Sequence, residues 1–287
     1  MSECFFVSDL HGRTDRYKNL IAEIEKDQPQ LVFIGGDILP SGINLFSKSL
    51  KHDVHFINDF LIDEFQNLMS KLGPSYPEIY IILGNDDTRI DENDIINAEQ
   101  IGIWHYCSES KFKFGDYLII GYSFIPPSPF QLKDWEKYDV SRYVDPGCIS
   151  PEEGRRTVEV ENHLIRYSTI KNDLEELTGN INFEKLIFLF HSPPYKTDLD
   201  RAALDGKMIE HVPLDVHVGS IAIKKLIEEK QPYLTLHGHI HESTRLTGNW
   251  KQKIGRTISF NAAHDGAELS IIKFNLEDLN SARRKLI

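Results

Sequence analysis

Five short apolar runs punctuate the chain: FFV at 5–7, LVFI at 31–34, IYIIL at 79–83, LIFLF at 186–190 and YLTL at 233–236. Each is continuous rather than alternating, the pattern of a strand covered on both faces. Between them, apolar positions recur at helical spacing. Tyr17, Leu20, Ile21 and Ile24 form one stripe, and Leu61, Phe65, Leu68, Met69 and Leu72 a second. Val160, Leu164, Tyr167, Leu174 and Leu177 predict a third helix, and Ala222, Ile223, Leu226 and Ile227 a fourth. Strands alternating with helices indicate an α/β chain. Segments 101–107, 111–121, 243–247, 250–261 and 268–275 pattern instead as antiparallel strands. The expected architecture is therefore two mixed sheets with helices outside. Residues 122–156 are irregular and rich in proline and aromatics. They read as a packed, cap-like insertion, since long structureless loops are uncommon in compact domains. Trp135, Tyr138 and Tyr143 within it either shape a substrate lid or simply pack. No internal repeat is present.

Polar residues follow every apolar run. Asp9 and His11 come after the first, Asp37 after the second, and Asn85, Asp86 and Asp87 after the IYIIL run. His191 follows LIFLF, and His237, His239 and His241 close the YLTL run. The carboxyl edge of an α/β sheet is where ligands bind. Carboxylate, amide and imidazole donors suit divalent metals, and the absence of thiolates argues against a structural zinc site. Strand alternation would put Asp9 with His11, and His239 with His241, on common faces. His237 would share the latter face, and either supports the ligands from behind or simply packs as a strand histidine. Gly36, Gly84 and Gly238 beside these donors allow sharp turns near a crowded centre.

Composition adds bounds. The 287 residues are 40% hydrophobic and 26% charged, ordinary for a protein with a sizeable core. Net charge is −12. This disfavours a nucleic-acid partner and would repel a phosphorylated substrate at long range. A phosphate site would need its own positive charge, which bound metal ions would supply. Three scattered cysteines, Cys4, Cys107 and Cys148, read as reduced thiols of a cytoplasmic protein. No run approaches the roughly 18 apolar residues of a membrane span. The start of the chain lacks the basic stretch of a signal peptide.

Taken in order, Asp9-x-His11, Gly36-Asp37, Gly84-Asn85-x-Asp87, His191 and Gly238-His239-x-His241 resemble the metallophosphoesterase, or calcineurin-like phosphoesterase, superfamily signature. The stretches HSPPYKTDLDRAALDG and GSIAIKKLIEEKQPYLTLHGHIHES further resemble a bacterial and archaeal subgroup of Icc-related predicted phosphoesterases. The resemblance implies one domain over 1–287, folded as a four-layer α/β/β/α sandwich. It also implies two divalent metal ions (manganese, iron or zinc). Asp9, His11 and His241 would hold one metal and Asn85, His191 and His239 the other, with Asp37 bridging. Asn85 would also face the phosphate. A metal-bridging hydroxide would attack phosphorus in line, making the chain a hydrolase of phosphoric esters, with a phosphodiesterase expected over a phosphatase.

The chain departs from that pattern at one place. Many relatives read G-N-H-D or G-N-H-E, where this chain has Asp86. Asp86 would have to be protonated to act on a leaving group; otherwise it caps the next turn. Asp87 is expected to orient backbone or a group behind the ligands. Arg13 and Arg201 are candidate phosphate clamps, because guanidinium suits phosphate oxygens, or else solvated surface arginines; His217 is a candidate substrate-binding or acid group. Pro40 stands where a purple acid phosphatase would have tyrosine. The rival reading from another class is an interaction scaffold of the same fold with weak or absent catalysis.

Overall fold

The computed structural model describes residues 3–41 and 55–287. Strands β1 (Glu3–Val7), β2 (Leu31–Gly35) and β3 (Glu78–Ile82) run parallel, and the short β4 (His105–Tyr106) extends them. A hairpin of β5 (Lys111–Phe114) and β6 (Tyr117–Tyr122) begins a second sheet, which continues through β7 (Leu186–Phe190). Strands β8 (Met208–Ile209) and β9 (Val212–Pro213) form a separate small hairpin. Strand β10 (Leu234–His237) joins the second sheet with the hairpin of β11 (Lys251–Ile254) and β12 (Thr257–Asn261). Finally β13 (Ser270–Asn275) and β14 (Asp278–Leu286) return to the first sheet. The orders are β14-β13-β1-β2-β3-β4 and β11-β12-β10-β7-β6-β5.

Side-chain alternation builds four layers from these strands. Phe6, Phe33, Tyr80 and Ile82 on the first sheet pack against Ile119, Ile187, Leu189, Leu236 and Phe260 on the second. The opposite face of the first sheet carries Phe5, Val7, Val32, Ile34 and Ile81. It is covered by α1 (Thr14–Asp27), α2 (Ile62–Leu72) and α3 (Glu92–Gln100). After α4 (Asn162–Tyr167), helices α5 (Ile170–Thr178) and α6 (Ile221–Lys230) cover Phe188 and Phe190 of the second sheet. Strands buried on both faces account for their continuous apolar runs. Among the described residues, no helix is long and apolar enough to cross a membrane.

Several elements differ from expectation. Segment 243–247 is helix α7 (Ser243–Thr247), closed by Gly248 at φ 78°, rather than a strand. Five residues are too few for the apolar period to distinguish the two. Segment 101–107 supplies only β4, which pairs parallel with β3. The helix read over 160–177 is broken at Ser168. There Thr169 turns to cap α5, its hydroxyl accepting from Asn172 N at 3.1 Å, and Ile170 N donates to Tyr138 O.

Segment 122–156 is irregular yet packed. Lys133 and Glu136 form a fully buried ion pair, and Lys133 Nζ also donates to Ser128 O at 2.9 Å. Trp135 packs on Phe124 and Tyr138 is buried, which makes both part of the interior; Tyr143 is exposed. The Asp134 carboxylate accepts from Arg89 N at 2.8 Å and Thr157 N at 2.8 Å, tying the segment to the loop after β3.

On the far side, buried Lys273 of β13 reaches Glu23 and Asp27 of α1, and Lys285 adds a 2.9 Å contact to Glu23. Hydrogen bonds from Lys273 and Lys285 hold the Glu23 carboxyl at about 2. Its folded value is depressed. The stability it contributes is therefore fully present above its ordinary 4.5 and is lost as pH falls toward 2. Lys273→Met should destabilise the protein in urea titrations at pH 6, with the deficit shrinking markedly by pH 3. A constant deficit would rule the linkage out.

Candidate metal centre

Apart from His237, the last residue of β10, the donors singled out in the sequence lie just beyond the carboxyl ends of β1, β2, β3, β7 and β10. The strand-face pairing expected for them does not hold, because β1 ends at Val7 and β10 at His237. Asp9, His11, Asp37 and His239 instead adopt left-handed backbone, with φ of 57°, 48°, 50° and 70°. Such conformations are uncommon for side-chain-bearing residues and cluster at functional sites. Neighbouring loops hold them there. Asp9 N donates to Gly36 O at 3.0 Å and His11 N to Asp37 O at 2.8 Å, while Gly238 N donates to His191 O at 3.0 Å.

Glycine is required where the loops meet. A Cβ at Gly36 would sit 2.7 Å from His191 Nδ1, and one at Gly238 2.7 Å from Asp9 Oδ2. A Cβ at Gly84 would strike Asp37 Oδ1 and lie 2.7 Å from His191 Cε1.

The side chains converge in two groups. Asp9, His11, Asp37 and His241 offer ligand atoms within 4.8 Å of one another, and so do Asp37, His191 and His239. Asp37 belongs to both. His11 Nε2 is 3.1 Å from His241 Nε2, which is in turn 3.1 Å from Asp9 Oδ1. On the other side, His191 Nε2 lies 3.4 Å from Asp37 Oδ2 and 3.0 Å from Asn85 Oδ1. The second ring nitrogen of His191 faces Gly35 O at 2.8 Å, which fixes the ring.

This donor set fits divalent cations. Two imidazole nitrogens 3.1 Å apart must share either a proton or a cation. Burial disfavours a charged His191, but Asp37 beside it outweighs this and lifts the imidazole to about 9. Burial raises Asp37 and Asp9, yet hydrogen bonds and positive imidazoles drive both below the usual carboxylate range. Carboxylates and imidazoles packed this closely neutralise one another with protons that a cation would displace. The thiols stay out of the set: burial raises Cys4 and Cys107 well above the ordinary thiol range.

The remaining candidates are placed differently. Buried Asp87 accepts from Ile38 N at 3.1 Å, Leu39 N at 2.7 Å and Gly84 N at 2.8 Å, locking the Asp37 loop to the Asn85 loop. Asp86 accepts from Ser41 Oγ at 2.8 Å, and its carboxylate lies 3.3 Å from His11 Nδ1. His237 turns away from the donors. Its ring stacks on Phe190, with Nδ1 on Ser192 O at 2.9 Å and Nε2 on Thr235 Oγ1 at 2.8 Å. Arg13 pairs with exposed Asp15 at 2.8 Å. Arg201 pairs with Asp205 and Ala202 O, and His217 with buried Asp200 at 2.8 Å. None of these three is in the two donor groups.

Sequence reasoning missed Arg16. It is 6% exposed and donates to Asp9 O at 2.5 Å and Gly266 O at 2.7 Å. Its signal was a charged residue at the i−4 position of the buried Leu20 stripe.

The model of the family described as calcineurin-like phosphoesterase matches residues 4–243. The chain belongs to the calcineurin-like phosphoesterase family. This is a family of hydrolases acting on phosphoester bonds and using divalent metals. The uncharacterized protein MJ1162 of Methanocaldococcus jannaschii is 37% identical over 82 residues, 28% of this chain. The alignment spans 32% of that relative's length. One solved structure superposes over 100% of this chain and 98% of its own with TM-score 0.58 at 16% identity. TT1561 of Thermus thermophilus does so over 99% and 98% with TM-score 0.54 at 15% identity. Likeness at such identities shows the fold, which agrees with the two-sheet sandwich above.

Proposed function

We propose that this calcineurin-like phosphoesterase is a metal-dependent phosphodiesterase with a dinuclear centre. The observation that carries the reading is the pair of donor groups joined by one carboxylate, Asp37. Asp9, His11 and His241 hold one cation; Asn85, His191 and His239 hold the second. Two divalent cations so held supply Lewis acidity toward phosphoryl oxygens and make water acidic enough to serve as the nucleophile near neutral pH. The chain's own residues then do the positioning. His191 is clamped by Gly35 O, and Asp37 is fixed by the 2.7 Å bond from Asp86 N to its Oδ1. Asn85, whose Oδ1 lies 3.0 Å from His191 Nε2, would meet the phosphate.

Manganese, iron and zinc all suit this mixture of nitrogen and oxygen donors. The net charge of −12 favours a small phosphodiester over a polyanionic substrate. No imidazole occupies position 86, which favours diesters and activated monoesters whose leaving group departs without a proton from that position.

The test is hydrolysis of bis-p-nitrophenyl phosphate by protein stripped with a chelator and then reloaded. Stripping should abolish turnover, and manganese should restore it with two equivalents bound per chain. Turnover indifferent to chelation would reject the dinuclear reading. A loaded protein with two bound ions and no turnover on any diester would favour the scaffold role.

A further inference from the structure

His11 and Asp86 lie against each other in a way the hydrolytic reading does not use. The Nε2 side of His11 faces the donors, 3.1 Å from His241 Nε2 and 3.9 Å from Asp37 Oδ2. The opposite ring nitrogen, Nδ1, lies 3.3 Å from Asp86 Oδ2. The other carboxylate oxygen, Oδ1, accepts from Ser41 Oγ at 2.8 Å. Asp86 is anchored through its backbone too, its N–H donating to Asp37 Oδ1 at 2.7 Å. Oδ1 of Asp86 thus already accepts from Ser41, and Oδ2 lies against the His11 ring nitrogen rather than toward open space, the reverse of what a proton donor to a leaving group needs.

We infer that Asp86 is a positioning residue for His11, accepting the Nδ1 proton so that the Nε2 lone pair is presented to a cation held with Asp9 and His241. A carboxylate behind a ligating imidazole fixes its tautomer, orients its ring and raises its basicity. The inference rests on the dinuclear reading above and deepens it. It turns Asp86, a possible leaving-group acid in sequence terms, into part of one half of the metal centre. Position 86 then supplies no proton to the substrate, and selectivity among diesters follows leaving-group quality.

The experiment is manganese titration of metal-stripped protein by calorimetry, for the native chain, Asp86→Ala, Asp86→Asn and Ser41→Ala. The native chain should bind two ions. Asp86→Ala should weaken one of them about 10–100-fold, the usual cost of losing such a partner. The second ion should be bound nearly as before. Asp86→Asn keeps an acceptor for Nδ1–H but loses the charge, so its loss should be intermediate. Ser41→Ala should stay close to native. Melting curves in chelator show whether each variant is folded; if the alanine variant is not, the asparagine variant carries the comparison.

Kinetics supply the second readout. Loaded Asp86→Ala should keep the native ratio of turnover between aryl and alkyl leaving groups. Two native ions with unchanged affinities in the variants, and a selective loss on alkyl leaving groups, would make Asp86 the proton donor and overturn the inference alone. A native chain that binds no manganese would overturn it together with the dinuclear reading.

Discussion

Asp37→Asn should lower kcat/KM on bis-p-nitrophenyl phosphate by about 10³-fold or more, and metal content should fall from two ions toward one or none. Among the described residues Asp37 is common to both donor groups, so in the proposed centre its charge would serve both cations. A bound divalent ion contributes several kcal/mol of transition-state stabilisation, and each 1.36 kcal/mol is tenfold in rate. Losing about 4 kcal/mol is therefore about a thousandfold. Asparagine keeps the side-chain oxygen that accepts from Asp86 N, so the loop bearing Asn85 stays tethered. The measurement is steady-state kinetics alongside elemental analysis of the purified variant. Native-like turnover with full metal content would remove the basis of the proposed chemistry.

The second large effect is on stability. Asp87→Ala should cost about 3–5 kcal/mol, because three backbone amides, those of Ile38, Leu39 and Gly84, lose their acceptor together. A buried donor left unsatisfied costs about 1–3 kcal/mol, and partial relaxation keeps the total below the simple sum. At about 2–4 °C per kcal/mol for chains of this order of size, the melting temperature should drop by roughly 10 °C. Metal affinity should fall as well, since the freed amides flank Asp37 and Asn85. Burial and the nearby Asp37 charge push the Asp87 carboxyl up to about 8, against the pull of those amide donors. A melting temperature within two degrees of native would show that Asp87 is not the lock between the loops.

The central strands were legible because burial on both faces leaves runs of apolar residues with no polar interruption, as in LIFLF. Donor chemistry was legible too, because Asp, His and Asn stood at the same edge of five runs. Donor geometry was not. Asp9, His11, Asp37 and His239 take left-handed backbone without being glycine, forced there by bonds to other loops that no local pattern encodes. The consequence is plainest at His237, which alternation places beside His239 but which turns into the second sheet.

Other misses have local causes. Helix α3 buries only Ile95 and Ala98, too sparse a stripe to read. Strand β14 is an edge with mostly exposed positions, and its sequence DLNSARRKL carries no apolar run. Segment 243–247 was too short for its period to separate helix from strand. The role of Arg16 lies in backbone carbonyls 7 and 250 residues away, which are invisible to sequence pattern.

Asp9, His11, Asp37 and Asn85 come from the first sheet, whereas His191, His239 and His241 come from the second. Cations held among them would rivet the two halves of the sandwich across their seam. Resistance to unfolding would then track the supply of free metal. A ligand at a hundred times its dissociation constant adds about 2.7 kcal/mol to the folded state. In a metal-starved cell, the protein would lose rigidity along with activity, making its lifetime a gauge of cation availability.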